Sequence, residues 1–341
     1  MARAETASEQ GMHEQGVSPD LDIYCGSAIP ELAQLIADRL GRPLGRRQLE
    51  HFADGELHVK IQESVRGRDI YIVQSTCPPV NEHLMELLVM IDAFRRSSAA
   101  RITAILPYYG YARQERKSTG REPITAKLVA NLLTTAGANR VVALDLHAPA
   151  IQGFFDIEMI HLTATPLLAN YLTADLDRRE IVLVSPDTGR VKVVEKYANL
   201  LDVPLVVMHK RRSGQQGEEV EVGAIVGSVE GKRPIIVDDL IATGTTIATC
   251  AQALLAVGAL PNMTVVASHG VFSPPAEQQL ALPAIAQLVI TDTIPLPSST
   301  SLRQKTSVIS VAPLLAEAIL RLHQGRSISA LFRDWQEEFP V

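Results

Sequence analysis

Cysteine is scarce in this 341-residue sequence, with Cys25, Cys77 and Cys250 far apart and odd in number, which excludes a disulfide framework and a zinc site built on close ligand pairs. They read as reduced cytosolic thiols. Positive charge is not in excess either: 32 Lys and Arg against 38 Asp and Glu give a formal net charge of −6. That balance disfavours a general nucleic-acid or anionic-membrane surface, so an anionic ligand must be held by a few locally placed cations. Aromatics make up only 4% and no apolar run is long enough for a bilayer. The one uncharged stretch of note, Leu240 to Ala276, is cut by Gly244, Gly258 and Pro261 into pieces shorter than the ~20 residues of a membrane helix, and fits a buried crossover helix better. Residues 1–19 carry Glu5, Glu9 and Glu14 without an apolar centre, which fits a flexible tail and neither a signal nor a transit peptide.

What the sequence has is 46% apolar residues, dominated by Ala, Val, Leu and Ile. Short β-branched runs recur at 21–24, 70–73, 102–106, 141–144, 181–184, 203–207, 235–237, 264–267 and 286–290, as buried parallel strands do. Helical patterns separate many of them: Glu31 to Leu40, Asn81 to Arg96, Thr125 to Thr135, Val191 to Leu201 and Thr246 to Val257. The alternation predicts an α/β fold. Stretches 69–111 and 234–272 repeat one strand, loop, helix, strand plan, which predicts two similar domains, 20–163 and 164–332, before a tail at 333–341. A further amphipathic helix over 312–322 packs on either domain as far as periodicity can tell.

The chemistry concentrates in VDDLIATGTT at 237–246, where an apolar strand runs into Asp238 and Asp239 and then through a Thr/Gly loop into a helix. Ligands of open α/β sheets sit beyond the carboxyl ends of strands, and helix N-termini attract phosphate. Gly244 lets the backbone approach closely, while Thr243, Thr245 and Thr246 offer hydroxyls. Two carboxylates repel phosphate but suit sugar hydroxyls or a metal ion beside it, so a sugar phosphate is the natural ligand. A plain strand, turn and helix cap shares much of this pattern, and the adjacent acids weigh against it.

Upstream and downstream, HFADGE (51–56), PYYGYARQERK (107–117), DLHAPAIQGFF (145–155), VSPDTG (184–189) and HKRR (209–212) complete an ordered set. From Asp22 to Phe332 the chain resembles the ribose-phosphate pyrophosphokinases; the acidic loop alone is shared with phosphoribosyltransferases. The resemblance implies two phosphoribosyltransferase-like domains, each with a mostly parallel sheet flanked by helices. It also implies transfer of the pyrophosphate of ATP to the C1 hydroxyl of ribose 5-phosphate with Mg2+. ATP contacts then fall on Phe52, Asp54, Glu56, Arg113 and Gln114, and ribose 5-phosphate on Asp238, Asp239, Ala242, Thr243, Gly244, Thr245 and Thr246. His147 and Asp187 become magnesium ligands, and Lys210 and Arg212, in a stretch read as a mobile loop, stabilise charge on the transferring group. A cytoplasmic homo-oligomer, a hexamer in the family pattern, follows from the same resemblance.

Departures are specific. Arg190 stands where many members have a second glycine after Gly189, Val193 replaces an arginine, Ala242 replaces an acidic residue, and nine residues follow SISALF. A non-catalytic regulatory subunit, or a phosphoribosyltransferase, are the rival readings; intact Lys210 and Arg212 argue against the first, and the ATP segments against the second.

Overall fold

The computed structural model describes residues 20–173, 177–213, 219–298 and 300–331, and only the backbone of 210–213 and 219–223. The tails expected at 1–19 and 333–341 lie outside them.

Two sheets carry the fold. The first has five parallel strands in the order β1 (Leu21–Cys25), β4 (Asp69–Val73), β5 (Arg101–Leu106), β6 (Arg140–Leu144) and β7 (Glu158–Leu162). The antiparallel pair β2 (Arg47–His51) and β3 (Leu57–Ile61) stands beside it. The second sheet runs β10 (Glu219–Val226), β9 (Leu205–Ser213), β8 (Ile181–Ser185), β11 (Arg233–Ile241), β12 (Met263–Gly270), β13 (Ile285–Thr291) and β14 (Thr306–Ile309), parallel except for the β9–β10 hairpin. Each strand expected from a β-branched run is present. The continuous apolar reading has a simple cause: β4 and β8 are buried at every position, because helices cover both faces.

Helices α1 (Pro30–Arg39), α2 (Val80–Arg96), α3 (Thr125–Ala136), α4 (Thr165–Thr173), α5 (Val191–Leu201), α6 (Thr245–Ala256), α7 (Ala276–Leu280) and α8 (Ala312–His323) supply that cover. On α2 the buried residues Leu84, Leu87, Met90, Ile91 and Phe94 recur at helical spacing against the first sheet. One apolar cluster passes from Leu21 and Ile23 through α1, α8, α4 and α5 to Ile181 and Leu183, so the two halves share a core layer. Helix α8 packs on α1, and His323 at its end bonds Asp69 of β4 at 2.8 Å, so it makes these contacts with the first half. No helix among the described residues is long and apolar enough to cross a membrane.

The structure differs from expectation around residues 209–221. On either side of 214–218, which lie outside the described residues, β9 runs on to Ser213 and β10 starts at Glu219, paired antiparallel with Val220 opposite Arg212 and Val222 opposite Lys210. The alternating Glu219-Val220-Glu221-Val222 pattern is a period-two signal that the nearby Gly214 and Gly217 obscure.

Candidate functional site

Strand connections in the second sheet reverse direction between β8 and β11: β8 leads through α5 to β9 on one side, and β11 through α6 to β12 on the other. Such a reversal opens a crevice at the carboxyl ends of the two strands. Pairing of β11 with β8 stops at Ile236 and Val184, while pairing with β12 continues to Ile241 and Gly270. Asp238 and Asp239 therefore lie within β11, not at its end, on the part whose β8 side is open. Asp187 follows two residues after β8, its carboxylate accepting the Gly189 N–H at 2.9 Å.

Beyond β11, Gly244 has φ +75° and precedes the first residue of α6. A side chain there would be strained, and an added Cβ would lie 3.0 Å from Cγ of Leu280, so the turn requires glycine. The Thr243 and Thr245 hydroxyls are 3.2 Å apart, and the Thr245 and Thr246 amides open the helix, whose orphan N–H groups suit an anion.

The first sheet faces this crevice. Its strand β6 ends at Leu144, and Asp145 adopts φ +40°. The pleat stops there, so alternation no longer puts Asp145 and His147 on one face as their spacing suggests. The Asp145 carboxylate accepts from the Ala164 N–H at 2.9 Å and from the Ser268 hydroxyl at 2.5 Å. His147 instead meets Asp239, with Nδ1 2.8 Å from Oδ2. Behind them, buried His269 has Nε2 3.2 Å from the Leu144 carbonyl and Nδ1 2.9 Å from the Thr293 hydroxyl. Burial holds its pKa low; in the neutral ring Nε2–H donates to the carbonyl and Nδ1 accepts from Thr293. Ser75 Oγ donates to the Thr293 carbonyl at 2.6 Å, another bond between the halves. A cleft lined by Tyr108, Ala112, Asp145, His147, Asp239 and His269 lies at this meeting.

Arg190, just before α5, occupies the centre. Nε lies 3.3 Å from Oδ1 of Asp239 and 3.6 Å from Oδ1 of Asp238, and Nη1 donates to the His147 carbonyl at 2.9 Å. The two acids separate electrostatically. Burial, then the charge of Asp239, raises Asp238 well above the ordinary carboxylate range. Burial would raise Asp239 too, but the His147 hydrogen bond and the Arg190 charge outweigh it and hold its pKa at about 2. Sequence reading gives Arg190 only as a departure from family pattern and misses it as a site residue; an arginine directly after a glycine and before a helix is the signal that could have found it.

His147 and Asp187 could hold a divalent cation of the magnesium type. Among the described residues no group of three or more His, Cys, Asp or Glu stands ready for a metal. Magnesium commonly keeps several waters and takes oxygens from substrate phosphates. Asp239 at Nδ1 gives His147 the outer partner that a ligating imidazole needs, leaving Nε2 for the metal.

The nucleotide residues lie apart from this cleft. Phe52, Asp54 and Glu56 form the exposed tip of the β2–β3 hairpin, where Asp54 accepts the Glu56 N–H at 3.1 Å and the Phe52 ring sits 5.5 Å from that of His58. The hairpin touches α2 through His51 and Glu82, and Tyr111 reaches Asn81 on the same helix start. Gln114 accepts from the Thr125 hydroxyl, and Arg113 is exposed, its charge felt by buried Tyr108 at the cleft wall. Ala242 is half-buried between β11 and the threonine loop. Lys210 and Arg212 sit two positions apart on β9, and their side chains lie outside the described residues.

A family model described as the N-terminal domain of ribose phosphate pyrophosphokinase matches residues 21–137, and one described as the phosphoribosyl synthetase-associated domain matches 217–333. The ribose-phosphate pyrophosphokinase of Caldanaerobacter subterraneus subsp. tengcongensis is 51% identical over 312 residues, covering 92% of this chain and 98% of that one. That of Bacillus subtilis is 48% identical over 321 residues, with 94% and 100% covered. The crystal structure of phosphoribosylpyrophosphate synthetase from Mycobacterium smegmatis shares 45% identity and a TM-score of 0.83, over 90% of this chain and 99% of that chain.

Proposed function

The chain belongs to the ribose-phosphate pyrophosphokinase family, and from that premise we propose that the crevice between β8 and β11 holds ribose 5-phosphate while ATP reaches it from the hairpin side. The activity is pyrophosphoryl transfer: the C1 hydroxyl attacks the β-phosphorus of ATP, giving phosphoribosyl pyrophosphate and AMP. One observation carries the placement. The acidic pair and the Thr243–Thr246 helix start share a switch-point crevice that faces His147 from the other half of the chain.

In this reading the 5-phosphate sits on the amides of Thr245 and Thr246 and the threonine hydroxyls, next to Gly244 and Ala242. The ribose hydroxyls donate to Asp238 and Asp239. ATP lies across Phe52, Asp54, Glu56, Arg113 and Gln114, the exposed Phe52 ring stacking on adenine and the guanidinium on phosphate oxygens. His147 and Asp187 hold Mg2+, which when bound neutralises polyphosphate charge. Lys210 and Arg212, on the hairpin next to β8, close on the leaving group. Exposed Ile124, just before α3, and Leu128 and Leu132 on it form an apolar row at four-residue spacing and support a homo-oligomer, a hexamer in the family pattern. Three buried thiols support a cytoplasmic setting.

The test is a mixture of protein, ATP, magnesium and ribose 5-phosphate with identification of the nucleotide released. AMP is expected. ADP means ordinary phosphoryl transfer, and no turnover points to a regulatory subunit.

A further inference from the structure

The Arg190 guanidinium has an unusual seat. Its Nη2 lies 2.7 Å from Nδ1 and 3.3 Å from Nε2 of His147. An atom in the ring plane along the Nδ1 direction is far from Nε2, so closeness to both nitrogens puts Nη2 over the imidazole face. Nδ1–H is thus left to donate to Asp239, and the cation lies close against the ring. At the same time Nε reaches both carboxylates of the acidic pair, and the side chain is only 11% exposed. An arginine serving only as a structural ion-pair partner needs acids alone. This one also covers the imidazole that borders the cleft, and it does so across the two halves of the chain.

We propose that Arg190 is a resident counter-cation of the crevice, supplying beside Asp238 and Asp239 the positive charge that a divalent ion would otherwise supply, and so weakening metal binding at His147 until substrate phosphates arrive. The proposal rests on the reading that His147 holds the divalent ion. Physically it follows from like-charge repulsion at short range, in a site too buried for solvent to screen it. The Asp239 carboxylate and an imidazole nitrogen attract a dication; a guanidinium fixed against both opposes it. Polyphosphate changes the balance, because its oxygens supply both ligands and negative charge. The chain therefore takes up the metal chiefly together with the nucleotide.

Arg190 precedes the first residue of α5, at φ −99°, and its side chain makes no cap hydrogen bond there. Glycine is well tolerated at such a position. Two variants separate charge from packing: Arg190→Gln keeps a polar side chain, and Arg190→Gly removes it. Manganese(II) is titrated into the full-length protein alone, without ATP or ribose phosphate, and bound ion is followed by electron paramagnetic resonance. Both variants are expected to bind manganese about tenfold more tightly than the parent, and Arg190→Lys to remain close to it. His147→Ala is expected to bind more weakly than the parent. Unchanged or weaker binding in Arg190→Gln and Arg190→Gly, beside a weakened His147→Ala, overturns the role of Arg190. Equal binding by His147→Ala and the parent overturns the metal reading instead.

Discussion

His147 Nδ1 lies 2.8 Å from Oδ2 of Asp239, joining the residue three places beyond the end of β6 to one inside β11. The two halves thus meet through a group from each sheet at the point where the sugar is placed. Removing the Asp239 charge leaves His147 and Arg190 without their shared acceptor and the ribose without one of its two carboxylates. Charged hydrogen bonds contribute about 1.5–3 kcal/mol, so Asp239→Asn is expected to lower kcat/KM for ribose 5-phosphate roughly tenfold to a hundredfold. Steady-state kinetics with each substrate varied in turn checks this. A KM for ATP that rises instead, with ribose 5-phosphate unaffected, contradicts the placement.

Much of this arrangement was legible from residue order. Runs such as Ile181 to Val184 and Ile235 to Val237 announce themselves as strands because both faces are buried. The hairpin β2–β3 does not: more than half its residues are polar and none is fully buried, so burial imposes no clear pattern on them. Asp145 shows the other limit. Its spacing from His147 suggests one shared face, but a positive φ is set by contacts with Ala164 and Ser268, distant in sequence. Arg190 is the same case in charge: its partners lie 43 residues upstream and in the next parallel strand, and only folding brings them together.

The anchor of α8 gives a pH prediction. Asp69, buried at the start of β4, accepts from Arg101 Nε at 2.8 Å and meets His323 Nδ1 at 2.8 Å. Burial raises its pKa, but the hydrogen bonds from Arg101 and His323 outweigh that and leave it below the usual value. A depressed carboxyl contributes stability that is fully present above its unfolded pKa and lost as pH falls through the folded one. Asp69→Asn is therefore expected to be less stable by about 2–3 kcal/mol near neutrality, with the deficit shrinking below pH ~4. Urea midpoints of parent and variant, measured from pH 7 down to pH 3, test it; a constant gap excludes the charge as the cause.

The threonine loop predicts a cost for any side chain at Gly244. At φ +75°, with Leu280 Cγ 3.0 Å from the new Cβ, Gly244→Ala combines backbone strain with a steric contact. The expected loss is about 1–2 kcal/mol of stability, with a raised KM for ribose 5-phosphate and little change in KM for ATP. Thermal unfolding and the two KM values are the measurements. A protein as stable as the parent with an unchanged sugar-phosphate KM removes the loop from the phosphate site.

Lys210 and Arg212 are proposed to act on charge that develops during transfer, not on substrate binding. Replacing both by Ala is expected to lower kcat by ~10³ or more while ATP affinity stays within a few-fold. Equilibrium nucleotide binding beside single-turnover rates separates the two effects. Turnover like that of the parent refutes the assignment.

Phe52 is 55% exposed at the tip of the β2–β3 hairpin, where the proposed adenine would cover its ring. Stacking of a base on an aromatic ring contributes about 1–3 kcal/mol, so Phe52→Ala is expected to raise KM for ATP roughly tenfold. Because the ring stands half-exposed on a hairpin tip, against His58, the substitution should leave the unfolding midpoint almost unchanged. The sugar-phosphate KM is the internal control: Phe52 stands on the β2–β3 hairpin and is not part of the cleft lining, so that value should not move. A variant in which both constants shift together means that the hairpin shapes the crevice, and the adenine must then be sought nearer to Tyr108 and Arg113.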